Sequence, residues 1–67
     1  MGKLYKHFKG GIYKLLYIAT HSETKEKLVV YRSLKDNKVY ARPYSMFFED
    51  VAPGIKRFTL IKLKRTP

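Results

Sequence analysis

The sequence predicts an all-β domain. Three observations carry that expectation. β-branched and aromatic runs with two-residue alternation recur, while helical periodicity is weak throughout. Turn-forming residues punctuate these runs at short intervals. The chain has only 67 residues and no cysteine, yet it holds six tyrosines and four phenylalanines. A chain this short buries only about 60% of its unfolded surface, and it has no disulfide to help. Large aromatic residues supply the missing buried area and keep each tyrosine hydroxyl at a rim.

The elements follow in order. Lys9-Gly10-Gly11 enters the first apolar run, and paired glycines there mark a bend, bulge or barrel corner. Ile12–Thr20, IYKLLYIAT, is too short for a stable isolated helix and reads as a strand. Strict alternation puts Tyr13, Leu15, Tyr17 and Ala19 on one face, and Ile12, Lys14, Leu16 and Ile18 on the other. His21–Lys27, HSETKEK, is polar and forms a turn. Leu28–Leu34 is the next strand, with Val29, Tyr31 and Ser33 on one face and Leu28, Val30, Arg32 and Leu34 on the other. Asp36-Asn37 tolerates positive φ and sets a tight hairpin before the short strand Val39–Arg42. Pro43 has no N–H and stops that ladder. Tyr44–Phe48, YSMFF, is expected to make one 3-10 or α turn that buries Met46 and both phenylalanines. Ala52-Pro53-Gly54 is a further turn, and Phe58–Leu63 is the last strand, followed by a frayed basic tail at about 64–67.

About five short strands in series suggest one small, strongly bent antiparallel sheet spanning residues 1–67 as a single domain. Partial closure of such a sheet protects its edges. An SH3-like, partly open barrel fits best, because that architecture carries one helical turn before its last strand, where Tyr44–Phe48 stands. An OB-like barrel and an open sheet covered by one helical turn are the alternatives.

The formal net charge is +10, and it is uneven. Residues 1–22 carry +4, residues 23–50 carry +1 with all five acids, and residues 51–67 carry +5. Such a field attracts polyanions. It also favours solubility and a monomer. No apolar run approaches the roughly 20 residues of a membrane span. The first residues lack the apolar segment of a signal peptide, and Lys6 stands where a myristoylation motif needs Ser or Thr. With no cysteine, these features point to a cytoplasmic protein.

Catalytic chemistry has no visible constellation, so the chain is not expected to be an enzyme and needs no cofactor. Ser22, Ser33 and Ser45 lie in no nucleophile elbow. Glu49 and Asp50 are adjacent, so on a strand they diverge and cannot act as a carboxylate pair; they solvate the end of the aromatic knot. His21 and Glu23 read as turn residues and His7 as part of a solvated strand, which leaves too few ligands for a zinc site. Gly10-Gly11 lacks the Gly-Lys-Ser/Thr of a phosphate loop.

Basic residues interleaved with aromatics are the functional signal. The wider set is Tyr5, His7, Lys9, Tyr13, Tyr31, Arg32, Tyr40, Arg42, Tyr44 and Arg57. Aromatic side chains stack bases while Lys and Arg follow a backbone, the sequence-tolerant mode of single-strand binding. The candidate nucleic-acid contacts are Lys9, Tyr13, Tyr31, Arg32, Tyr40, Arg42 and Arg57. Competing roles are core filling for the tyrosines and an ion pair of Arg42 with Glu23 or Glu49. A peptide-docking groove, with a protein as partner, is the alternative function.

GGIYKLLYIATHSETKEKLVVYRSL, Tyr40-Ala-Arg-Pro43, Met46-Phe47-Phe48 and Arg57-Phe58 together resemble the bacterial family catalogued as domain of unknown function number 1653. The resemblance covers about residues 5–58 and implies an SH3-type barrel but no reaction. It also implies a possible accessory role in nucleotide hydrolysis, since members sit beside Nudix hydrolases. The family pattern usually has a tryptophan before the Arg-Pro pair. Here Val39-Tyr40-Ala41 stands there, and Tyr40 is the residue placed to take over part of its stacking.

Overall fold

The computed structural model describes residues 3–61. It contains β1 (Leu4–His7), β2 (Ile12–Thr20), β3 (Lys27–Ser33), β4 (Val39–Pro43), α1 (Tyr44–Phe47), β5 (Asp50–Ala52), β6 (Ile55–Lys56) and β7 (Phe58–Leu60). Five strands form one antiparallel sheet in the order β4-β3-β2-β1-β7, and β5 pairs with β6 in a separate hairpin. The architecture is therefore all-β with one short helix, as expected. The sheet stays open, because β4 and β7 are its two edges. No helix among the described residues is long and apolar enough to cross a membrane.

Two elements go beyond the sequence reading. β1 pairs with both β2 and β7 and so ties the two ends of the described chain together. The β5–β6 hairpin lies between α1 and the last strand, where only the turn at Ala52-Pro53-Gly54 was expected. Its cross-strand partners Asp50 and Lys56 also form an ion pair at 3.6 Å. Residues 62 and 63 of the expected last strand, and the basic tail, lie outside the described residues.

The turns follow their residues. Gly10 and Gly11 have φ of 101° and 85°, a region closed to most side chains, and Gly10 N donates to His7 O at 2.8 Å. Asn37 has φ of 60° in the β3–β4 turn, where Asn37 N donates to Ser33 O at 2.9 Å. Pro43 closes β4 on the sheet's edge, where a missing donor costs nothing.

Strict alternation fails within the five-stranded sheet between Leu15 and Tyr17, with consequences. The β2–β3 register shifts between Leu15 and Tyr17, so an extra residue enters β2. Leu15 faces Tyr31 across the pair, but beyond the bulge Ile18 faces Val29 and Tyr17 faces Val30. Tyr17 therefore leaves the face of Tyr13 and Leu15 and is 64% exposed. On β3 the Val29, Tyr31, Ser33 face is the buried one.

The core is aromatic. Tyr5, Leu15, Val29, Tyr31, Phe47 and Phe58 are its buried residues. Phe47 is inserted by α1 and stacks on Phe58 with centroids 4.1 Å apart and planes 5° apart. Phe48 packs against this cluster, but Met46 is exposed, contrary to expectation. Successive helical residues point about 100° apart, so a helix of one turn presents a single inward position.

Candidate functional site

The inner face of the sheet continues past the core into a cleft of about 270 Å³, lined by His7, Tyr13, Tyr31, Tyr40, Arg42 and Phe58. Strand register explains the gathering. His7 pairs with Phe58 across β1–β7, and Tyr31 pairs with Tyr40 across β3–β4. Arg42 lies two residues beyond Tyr40 and so shares its face.

The rings form a continuous wall. Tyr13 meets Tyr31 edge-on at 5.6 Å, and Tyr31 lies beside Tyr40 at 5.8 Å and 30°. Phe58 closes the floor, edge-on to Tyr13 and Tyr31 at 5.5 Å each. Arg42 Nε donates to the Tyr31 hydroxyl at 3.3 Å, so no acid claims this guanidinium. That corrects the expected pairing of Arg42 with Glu23 or Glu49; Glu49 pairs instead with Arg57 at 3.5 Å.

His7 is half-buried in the wall, edge-on to Phe58 at 4.9 Å, rather than on a solvated strand. Its Nδ1 accepts from Lys9 N at 3.1 Å, which assigns the proton of the neutral ring to Nε2. Burial lowers its pKa from the ordinary value, and the charges of Arg42, Arg57 and Lys9 lower it further. Of these cations Arg42 lines the cleft, whereas Arg57 is paired with Glu49 and the Lys9 ammonium lies over the Phe8 ring at 5.7 Å. At the other end of the core, burial and then Tyr44 raise the pKa of Tyr5, which stays a neutral phenol.

Of the seven residues expected from the sequence, Tyr13, Tyr31, Tyr40 and Arg42 line the cleft. Lys9 and Arg57 act on it through their charge at His7. Arg32 does not belong: it pairs with Lys14 and Val39 on the outer face. Phe58 was read as the start of a strand and as part of the family resemblance but not as a site residue, and His7 stood in the wider set alone. Two-residue spacing from Tyr5, whose side chain is buried, was the signal that turns His7 inward.

A neighbouring cleft of about 310 Å³ shares His7 and is lined by Lys6, Phe8, Ile55, Lys56 and Thr59. Lys56 there is already paired with Asp50, and Phe8 is the single aromatic ring besides His7. Among the described residues, no three His, Asp or Glu side chains gather as a metal site.

Fold and cleft together define an open antiparallel β-domain with an aromatic, arginine-bearing recess. A family model described as "Protein of unknown function (DUF1653)" matches residues 3–60, and the chain belongs to that family. No curated protein and no solved structure matches the chain.

Proposed function

We propose that this chain is a small binding module that holds single-stranded nucleic acid in the Tyr13–Tyr31–Tyr40 cleft. The observation that carries the reading is the sign of charge around the rings. An unadorned cage of aromatic faces attracts cations. Here Arg42 stands in the wall, and Arg42, Arg57 and Lys9 together depress His7. A cation entering would meet the Arg42 guanidinium, which no acid neutralises. A flat ring attached to an anion satisfies both features, with the base on the exposed ring of Tyr40 and the phosphate on the Arg42 guanidinium. Nucleic acid is the abundant polymer of that chemistry. Tyr40, on the edge strand and 41% exposed, is the ring most open to stacking.

Titration of a labelled oligothymidylate by fluorescence anisotropy at two salt concentrations tests the reading. With roughly three phosphates neutralised, log K falls by roughly two for each tenfold rise in salt. Tyr40→Ala removes one stacking surface and weakens binding by roughly 5- to 150-fold, the equivalent of about 1–3 kcal/mol. No binding at low salt, or binding unchanged in Tyr40→Ala, overturns it.

A further inference from the structure

The outer face of the sheet holds a different arrangement of charge. Lys14 on β2 stands directly opposite Arg32 on β3. Leu4 lies opposite Lys14 on β1, and Val39 lies opposite Arg32 on β4, so the row across four strands reads Leu4, Lys14, Arg32, Val39. Like charges directly opposite repel. Neither cation has an acidic partner among the described residues, whose two ion pairs are Lys56–Asp50 and Arg57–Glu49. The remaining acids lie in turns: Glu23 and Glu26 between β2 and β3, and Asp36 between β3 and β4, where it accepts from Lys38 N at 3.1 Å. Arg32 Nε is buried with no acceptor, as is Arg57 Nε, but Arg57 has Glu49 on its terminal nitrogen and Arg32 has no acid.

We propose that Lys14 and Arg32 form a phosphate-class oxyanion site on the outer face. One bound oxyanion screens the repulsion and gives the terminal nitrogens of the guanidinium an acceptor, while the sealed Nε takes no part. Arginine offers a planar fork, and lysine a compact charge beside it. A phosphate group offers separate oxygens to the fork and to the ammonium, and its higher charge answers two cations where a single carboxylate carries one negative charge. The flanking Leu4 and Val39 lower the local dielectric and strengthen the attraction. This site is separate from the cleft and does not depend on the reading given for it.

Titration of ¹⁵N-labelled protein with inorganic phosphate, replacing chloride at constant ionic strength, tests the proposal. The amides of Lys14, Arg32 and Val39 are expected to shift saturably. The amides of Tyr40 and Arg42 report the inner cleft separately. Lys14→Gln is expected to weaken phosphate binding at least fivefold. It is also expected to melt at a higher temperature than wild type in chloride, because the repulsion is gone. Arg32→Lys keeps the charge but loses the fork, and is expected to bind phosphate more weakly than wild type. A hexathymidylate without terminal phosphates distinguishes the source. Shifts at Lys14 and Arg32 with it assign the site to a phosphodiester strand, and shifts with inorganic phosphate alone assign it to the free ion. Amide shifts no larger than those in chloride, or Lys14→Gln binding phosphate like wild type, overturn the proposal.

Discussion

The two faces of one sheet place positive charge in opposite surroundings. On the inner face Arg42 bonds the hydroxyl of Tyr31 and stands among rings. On the outer face Arg32 stands between Lys14 and Val39, and its Nε has no partner. The net charge of +10 says nothing about this difference. The neighbours set the surroundings of each cation: aromatic rings inside, a second cation outside. They also decide stability, because the inner face carries the buried core, whereas the outer face does not.

That contrast breaks first if the inner face is not core. Phe47 is fully buried and stacks on Phe58, which floors the cleft. Phe47→Ala is expected to cost about 3–5 kcal/mol, the usual range for a buried phenylalanine. In a domain of this size that is a large share of the total stability. The urea midpoint checks it, and a loss under about 1 kcal/mol would show that α1 is a loose cover rather than part of the core.

How much of this could be read from the chain depended on whether a feature was local. Ile12–Thr20 matches its strand from end to end because β-branched and aromatic residues fill it. Asn37 takes positive φ because its own side chain tolerates it. The one-turn helix at Tyr44–Phe47 follows from Pro43 and the apolar knot. Features that depend on distant partners were not legible. A strand at His7 was expected as a solvated one, but its place between β2 and β7 was hidden, because Lys3, Lys6 and Lys9 make its surroundings polar. Arg42 chose a phenol over a carboxylate because β-register put Tyr31 beside it. Arg32 was grouped with the tyrosines by composition, and parity along β3 separated it from them. Four of the seven expected residues converge because alternation from Tyr13, Tyr31 and Tyr40 was sound away from the bulge.

The pH dependence of stability sharpens the comparison further, since burial first, and then the charges of Arg42, Arg57 and Lys9, lower the His7 pKa, and the outer-face pair Lys14 and Arg32 is not among the causes. Its pKa lies below the ordinary value of 6.5. The unfolded chain therefore binds more protons than the folded one in the window just below 6.5, and folding loses stability as pH falls through it. Above 6.5 the contribution is complete, and below the folded pKa the loss levels off. His7→Gln is expected to flatten the urea midpoint over that window. Asp36 does not interfere, because backbone donation from Lys38 lowers its pKa from 3.8, well into the acid range. A slope unchanged in His7→Gln would place the titrating group elsewhere.

The smallest expected effect tests the boundary between the faces. Strict alternation puts Tyr17 with Tyr13 and Leu15, and there a tyrosine-to-alanine change would remove core. The bulge after Leu15 turns Tyr17 outward, opposite Val30. Tyr17→Ala is then an ordinary surface substitution, expected to stay within about 0.5 kcal/mol of wild type. It should also leave oligonucleotide binding unchanged, because the ring does not line the cleft. Urea denaturation and the same anisotropy titration check both. A loss of several kcal/mol would mean that β2 pairs without a bulge. Ile18 and Val29 would then no longer share a face, and the inner wall would have to be rebuilt from Tyr13, Leu15 and Tyr17. Because one extra residue moves every later side chain to the other face, this near-silent substitution reports the register of the whole second half of β2.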